Sequence, residues 1–112
     1  MAGEALSAGD ICHLNSSGQM VKSDATNYTK SFSMLALATT AMSLSQSGTF
    51  LVKGMYALSG FSAGDTLFLS TAAGTLTATS PNTSGNINRV AGYATSSTQI
   101  FFDPDKTWME IN

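Results

Sequence analysis

Charge is what this chain has least of. Asp, Glu, Lys and Arg make up 11% of its 112 residues, against about 25% in ordinary globular domains. Lys22, Lys30, Lys53, Arg89 and Lys106 stand singly, and the net charge is −2. With no basic stretch to follow a phosphate backbone, nucleic acid is not an expected partner. One cysteine excludes an internal disulfide, and one histidine leaves a zinc site without a second imidazole. Apolar runs fall short of the roughly 18 residues of a membrane span. The opening MAGEALSAGD lacks the basic and apolar regions of a secretory signal.

What is present instead is hydroxyl. Ser and Thr replace Lys and Glu as the solubilising residues, which suits β-strands with a polar outer face and surfaces that end against a partner. A hydrophobic content of 43% argues against a disordered chain. At this length one domain is expected, able to bury roughly 65% of its unfolded surface.

The chain also repeats itself. LSAGDICHLNSSG, from Leu6 to Gly18, returns as FSAGDTLFLSTAAG, from Phe61 to Gly74. Ser7-Ala8-Gly9-Asp10 matches Ser62-Ala63-Gly64-Asp65, and Ile11-Cys12-His13-Leu14 lies over Thr66-Leu67-Phe68-Leu69. The match continues with LALATT (35–40) over AGYATS (91–96) and TFLVK (49–53) over QIFFD (99–103). Two copies, about 6–54 and 61–103, followed by a tail at 104–112, account for one β domain over 1–112.

Each copy has the same local grammar. Ser-Ala-Gly-Asp reads as a turn, Gly supplying a positive φ and Asp a carboxylate for nearby N–H groups. A short apolar strand follows, then a second turn ending in Gly, then alternation of apolar and hydroxyl residues, cleanest at Thr75-Leu76-Thr77-Ala78-Thr79. A second hairpin closes each copy: 35–40 with 49–53, and 90–95 with 99–102. SMLALATTAMSLSQSG has some helical character, but its counterpart RVAGYATSS reads as strand. Strand to about Thr40, then an irregular loop or one helical turn, is the expectation. The fold class is therefore all-β: a small antiparallel β-barrel or sandwich built from two duplicated hairpin-rich halves.

Candidate chemistry reduces to shape at each position. Cys12 and His13 are neighbours on a strand and point to opposite faces, so they cannot act on one atom. Cys12 aligns with Leu67, which predicts a buried thiol; Leu14 and Leu69 are expected to be equivalent core residues. His13 aligns with Phe68, and both are candidates for a partner interface. Asp10 and Asp65 occupy matching turns and read as turn caps, not as a catalytic carboxylate pair. DPDK at 103–106 lacks the six or so oxygens of a calcium loop, and the glycines at 48, 54, 60 and 64 form no phosphate loop. Among the aromatics, Phe101 and Phe102 are consecutive on a strand, so one faces in and one out. The tail, with Trp108, Met109 and Ile111, either folds back on the domain or docks on another subunit. Catalytic residues, metals, cofactors and a small-molecule substrate are not expected.

With those residues in view, the chain resembles small β-rich modules of tailed-phage virions, found as capsid decoration (cement) proteins and as terminal modules of tail fibres. The resemblance rests on LSGFSAGDTLFLSTAAGTL, on PNTSGNINRVAGYA and on the closing FDPDKTWME, and it spans almost the whole chain. It implies a structural, generally trimeric protein without enzymatic residues. Decoration proteins of this kind sit on the capsid exterior, often at three-fold points, and clamp neighbouring major capsid proteins against internal DNA pressure. The chain begins with Met, reads as a complete module and has no fibrous stalk. These features favour the decoration role, with the major capsid protein and other copies of itself as partners. The alternative is a terminal or receptor-binding module of a tail fibre or spike.

Overall fold

A computed structural model describes residues 1–26, 34–79 and 87–104, together with the backbone of Met109 and Glu110. Among the described residues every regular element is a strand, and the strands form antiparallel sheets. The first sheet contains β1 (Ile11–Leu14), β2 (Met20–Lys22), β3 (Leu35–Ala38) and β4 (Phe50–Leu51), in the order β2-β1-β3-β4. The second contains β5 (Gly54–Tyr56), β6 (Thr66–Leu69), β7 (Leu76–Thr77), β9 (Val90–Ser96) and β10 (Gln99–Phe102), in the order β5-β10-β9-β6-β7. A small ribbon pairs β8 (Ile87–Asn88) with β11 (Met109–Glu110). The sheets keep their edges and do not close into a barrel; they pack as a sandwich.

The aligned strands hold the same places. Reading β7-β6-β9-β10 against β2-β1-β3-β4 gives one order for both sheets, and β5 adds a strand to the second. Registers agree as well: Ile11 faces Leu37 as Thr66 faces Tyr93, and Cys12 faces Ala36 as Leu67 faces Gly92.

The repeated phrase builds one turn twice. Gly9 and Gly64 take φ of 91° and 92°, a region open to glycine without steric cost. Asp10 accepts the Ser7 N–H at 2.8 Å, and Asp65 accepts the Ser62 N–H at 3.0 Å. Gly9 N–H donates to the Ala38 carbonyl at 2.7 Å and Gly64 N–H to that of Ala94 at 2.8 Å. Ala38 and Ala94 N–H groups donate back to the Asp10 and Asp65 carbonyls at 2.8 and 2.9 Å. Each turn is thereby bonded to the middle strand of its own sheet, so it fixes the start of β1 and β6 against β3 and β9.

The two sheets nevertheless use opposite faces. Ile11, Leu35 and Leu37 from the first sheet share the main core with Leu67, Leu69, Ala94, Ile100 and Phe102 from the second. The cross-strand row Ile11–Leu37–Leu51 therefore faces inward. Its aligned row, Thr66–Tyr93–Phe101, belongs to the outer face of the second sheet. Conversely Cys12, Ala36 and Ala38, which align with the core residue Leu67, buried Gly92 and the core residue Ala94, lie on the far side of the first sheet in a separate cluster with Ala2, Leu6, Met20 and Met42.

That second cluster exists because the N-terminal segment crosses it. Leu6 and Met42 exchange backbone hydrogen bonds of 2.8 and 2.9 Å, Ala2 N–H reaches the Gln46 carbonyl at 3.0 Å, and Ser45 N–H returns to Ala2 at 2.8 Å. Residues 2–6 and 42–46 thus form an irregular cover. The stretch with mixed helical and strand character runs as strand only to Ala38 and then enters this cover, with Ser45 at a φ of 67°.

Candidate functional site

The side chains with chemical capacity are held by the fold. Cys12 is fully buried, and its thiol is pushed up to about 12, first by burial and then by the nearby carboxylates of Asp10 and Glu4, against a smaller opposing effect of Lys22. A thiol so placed is a poor nucleophile at neutral pH. Its burial matches the expectation from Leu67, although it lies in a different cluster.

His13 is 6% exposed, and its Nδ1 shares a hydrogen bond of 2.9 Å with the fully buried Ser23 hydroxyl. The expectation of His13 at a partner interface is corrected: β1 is an inner strand of its sheet, so His13 is enclosed within the protomer. Leu14 requires the opposite correction, being 39% exposed while its counterpart Leu69 is fully buried. The inversion of faces accounts for both, because His13 shares the inward side of β1 with Ile11, whereas Leu14 shares the far side with Cys12.

Asp10 and Asp65 serve the turns described above. Lys53 Nζ and Asp103 Oδ1 stand 4.0 Å apart with side chains 65% and 41% exposed, a surface pair of small energetic value. Among the described residues no group of three or more His, Cys, Asp or Glu is placed to hold a metal, and no helix is long and apolar enough to cross a membrane.

Among the described residues, two open clefts stand out. One of about 320 Å³ lies between the first Ser-Ala-Gly-Asp turn, Leu58, Phe61 and Gly74–Leu76. The other, about 370 Å³, is lined by Met34, Val52, Lys53, Arg89, Asp103 and neighbours. Neither brings a set of convergent polar groups beyond those already bonded in turns and pairs.

The most distinctive surface is the outer face of the second sheet. Thr66, Tyr93, Phe101 and Met55 stand side by side across β6, β9, β10 and β5. Phe68 stands beside Thr77 and Val90 in the neighbouring row. Met55 is 47% and Tyr93 46% exposed, while Thr66, Phe68 and Phe101 are half-buried. These two rows contain no charged side chain. Phe68 is half-buried on this outer face, and Phe101 faces out while Phe102 is fully buried. Met55 escaped the sequence reading because GMY precedes what looks like a linker and carries no alternation long enough to mark a strand.

In the tail, β11 brings the backbone of Met109 against Asn88 and that of Glu110 against Ile87, so the chain returns to its own domain there. Trp108 and Ile111 lie outside the described residues, as does the polar loop at 81–85. No protein-family model matches the chain, and no curated protein matches it.

Proposed function

We propose that this protein is a non-enzymatic structural component of a tailed-phage virion, a capsid decoration protein that binds the major capsid protein and stabilises the expanded head. The reading starts from the resemblance of LSGFSAGDTLFLSTAAGTL and the segments after it to virion modules. The observation that carries it further is how the repeated phrase is used. Its Gly, Asp and Ser are spent on two identical turns, Cys12 is sealed under the N-terminal cover, and His13 is bonded to Ser23. Residues that could do chemistry are occupied in holding shape, and the two rows Thr66–Tyr93–Phe101–Met55 and Thr77–Phe68–Val90 on the outer face of the second sheet carry no charged side chain. A rigid module with contact faces suits a role in which many weak contacts act together.

Copy number in purified particles tests this directly. Mass spectrometry of virions should find the protein in hundreds of copies, on the capsid exterior. A handful of copies located at the tail would replace this reading with that of a fibre or spike module. Absence from virions would remove both.

A further inference from the structure

We propose that residues 2–6 and 42–46 act as one lid on the first sheet, which opens as a unit while the sandwich stays folded. Main-chain hydrogen bonds join the two segments. Leu6 and Met42 donate to each other at 2.8 and 2.9 Å, Ala2 N–H donates to the Gln46 carbonyl at 3.0 Å, and Ser45 N–H donates to that of Ala2 at 2.8 Å. The second segment belongs to the loop between β3 and β4. At the base of that loop Thr39 N–H and Oγ1 both donate to the Thr49 carbonyl, at 3.1 and 2.8 Å. The loop can therefore swing without parting the strands that carry it.

What lies beneath the lid is separate from the main core. Along β1 and β3, Ile11, Leu35 and Leu37 belong to the core between the sheets, whereas Cys12, Ala36 and Ala38 belong to the cluster under the lid. Among the described residues the two clusters share no member. The sheet side of the lid cluster is mostly small, one thiol and two methyl side chains beside Met20, so opening uncovers little apolar surface beyond Leu6 and Met42 themselves. The Leu, Ile and Phe side chains between the sheets stay packed. Opening is thus opposed by the lid's own contacts alone, the condition for a unit that opens below the free energy of global unfolding. The closed state also holds one strained residue: Ser45 has a φ of 67°, a region that residues other than glycine seldom occupy, and its N–H is the one bonded to Ala2. An edge is sealed in the same way. Met20 N–H donates to the Met1 carbonyl at 2.9 Å, Gly3 N–H to the Met20 carbonyl at 2.8 Å, and Lys22 N–H to a Glu4 carboxylate oxygen at 2.9 Å. Opening frees these amides of β2 together with the face that carries Cys12. The lid is a property of the fold and is independent of any place in a virion.

Cys12 gives the readout, because its fully buried side chain belongs to the lid cluster. The rate at which excess water-soluble maleimide alkylates the native full chain, followed by mass, measures the opening. Leu6→Ala and Met42→Ala, one on each segment, should both raise that rate, Leu6→Ala by about 30-fold or more, which corresponds to the lower end of the cost of truncating a buried leucine. Leu69→Ala, in the main core, should lower the stability of the domain yet leave the rate within about two-fold of wild type, since the lid opens without it. Low concentrations of urea make the same distinction in the wild-type protein. The rate should rise far less steeply with urea than the global unfolding constant does, because opening exposes little surface; this slope decides the matter if Leu69→Ala fails to fold. Acceleration by Leu69→Ala in step with its loss of stability, or a urea slope equal to that of global unfolding, would mean that the thiol is reached only through the unfolded chain, and overturns the proposal. A rate indifferent to Leu6→Ala or to Met42→Ala overturns it equally, since the two segments would not open as one.

Discussion

Leu37 and Tyr93 hold the same position in their two sheets and face opposite ways. Each pairs with the first residue of the strand that follows its Ser-Ala-Gly-Asp turn, Ile11 and Thr66 respectively, yet Leu37 is fully buried and Tyr93 is 46% exposed. The repeat has been conserved in backbone and inverted in packing.

Truncations at aligned positions should expose that inversion. Leu37→Ala should cost about 2–5 kcal/mol, the range for a buried leucine, and Tyr93→Ser should stay within about 0.5 kcal/mol for the folded protomer. In the strands before them the asymmetry reverses: Leu69→Ala should fall in the costly range and Leu14→Ala well below it. Denaturant unfolding of the four variants, in conditions where the protein is monomeric, measures this. Equal costs for Leu14 and Leu69 would mean that the two sheets bury equivalent faces after all.

Much of the architecture was legible in the residues, and the limit of legibility has a physical cause. Glycine at a positive φ followed by a carboxylate is a local device, and it located both turns and the strands after them. Cross-strand partners followed, because hairpins are local too. Which face each sheet buries is not local. Ile11, Cys12 and His13 are buried on both sides of β1, so alternation is absent where it was most needed. Alignment of Cys12 with Leu67 gave burial correctly, but only the crossing of residues 2–6 decides what it is buried against. β5 is short, begins at Gly54 with a φ of 140°, and owes its existence to pairing with β10. The outer row was visible in part, since Tyr93 and Phe101 share a parity along their strands, whereas Met55 had no such signal.

Glycine substitutions separate conformational from steric cost. At Gly64 an added Cβ meets nothing within 4 Å, but the φ of 92° remains, so Gly64→Ala should cost about 1–2 kcal/mol. At Gly92 the added Cβ would lie 2.2 Å from the Phe101 carbonyl oxygen, which is backbone and cannot rotate away. Gly92→Ala should therefore force β9 and β10 apart and cost clearly more than Gly64→Ala. Thermal unfolding compares the two directly; an equal shift in Tm would show that β9 and β10 are not paired at this point.

Cys12 ties stability to alkaline pH. Its thiol rises to about 12 in the folded protein, above the roughly 8.5 of an unfolded thiol. Between these values the unfolded chain has lost the proton and the folded chain has kept it, so unfolding becomes easier as pH rises. The contribution is intact below the unfolded value and falls by about 1.4 kcal/mol per pH unit above it, until the folded thiol ionises. Wild type minus Cys12→Ala should show this slope above pH ~9 and none at neutral pH. In native protein an aqueous thiol reagent should label Cys12 slowly, with full labelling after denaturation. Rapid native labelling, or parallel pH curves for the two proteins, would place the thiol in contact with solvent.

The proposed role in a virion is tested most directly by the temperature at which particles release DNA. A decoration protein makes its contacts only in the assembled head, so it stabilises that state in proportion to occupancy. Particles lacking the protein should assemble and adsorb to host cells normally but release DNA at a lower temperature, and purified protein added back should restore the wild-type temperature saturably. Depleted particles that release DNA at the wild-type temperature, with or without a loss of adsorption, would contradict the assignment.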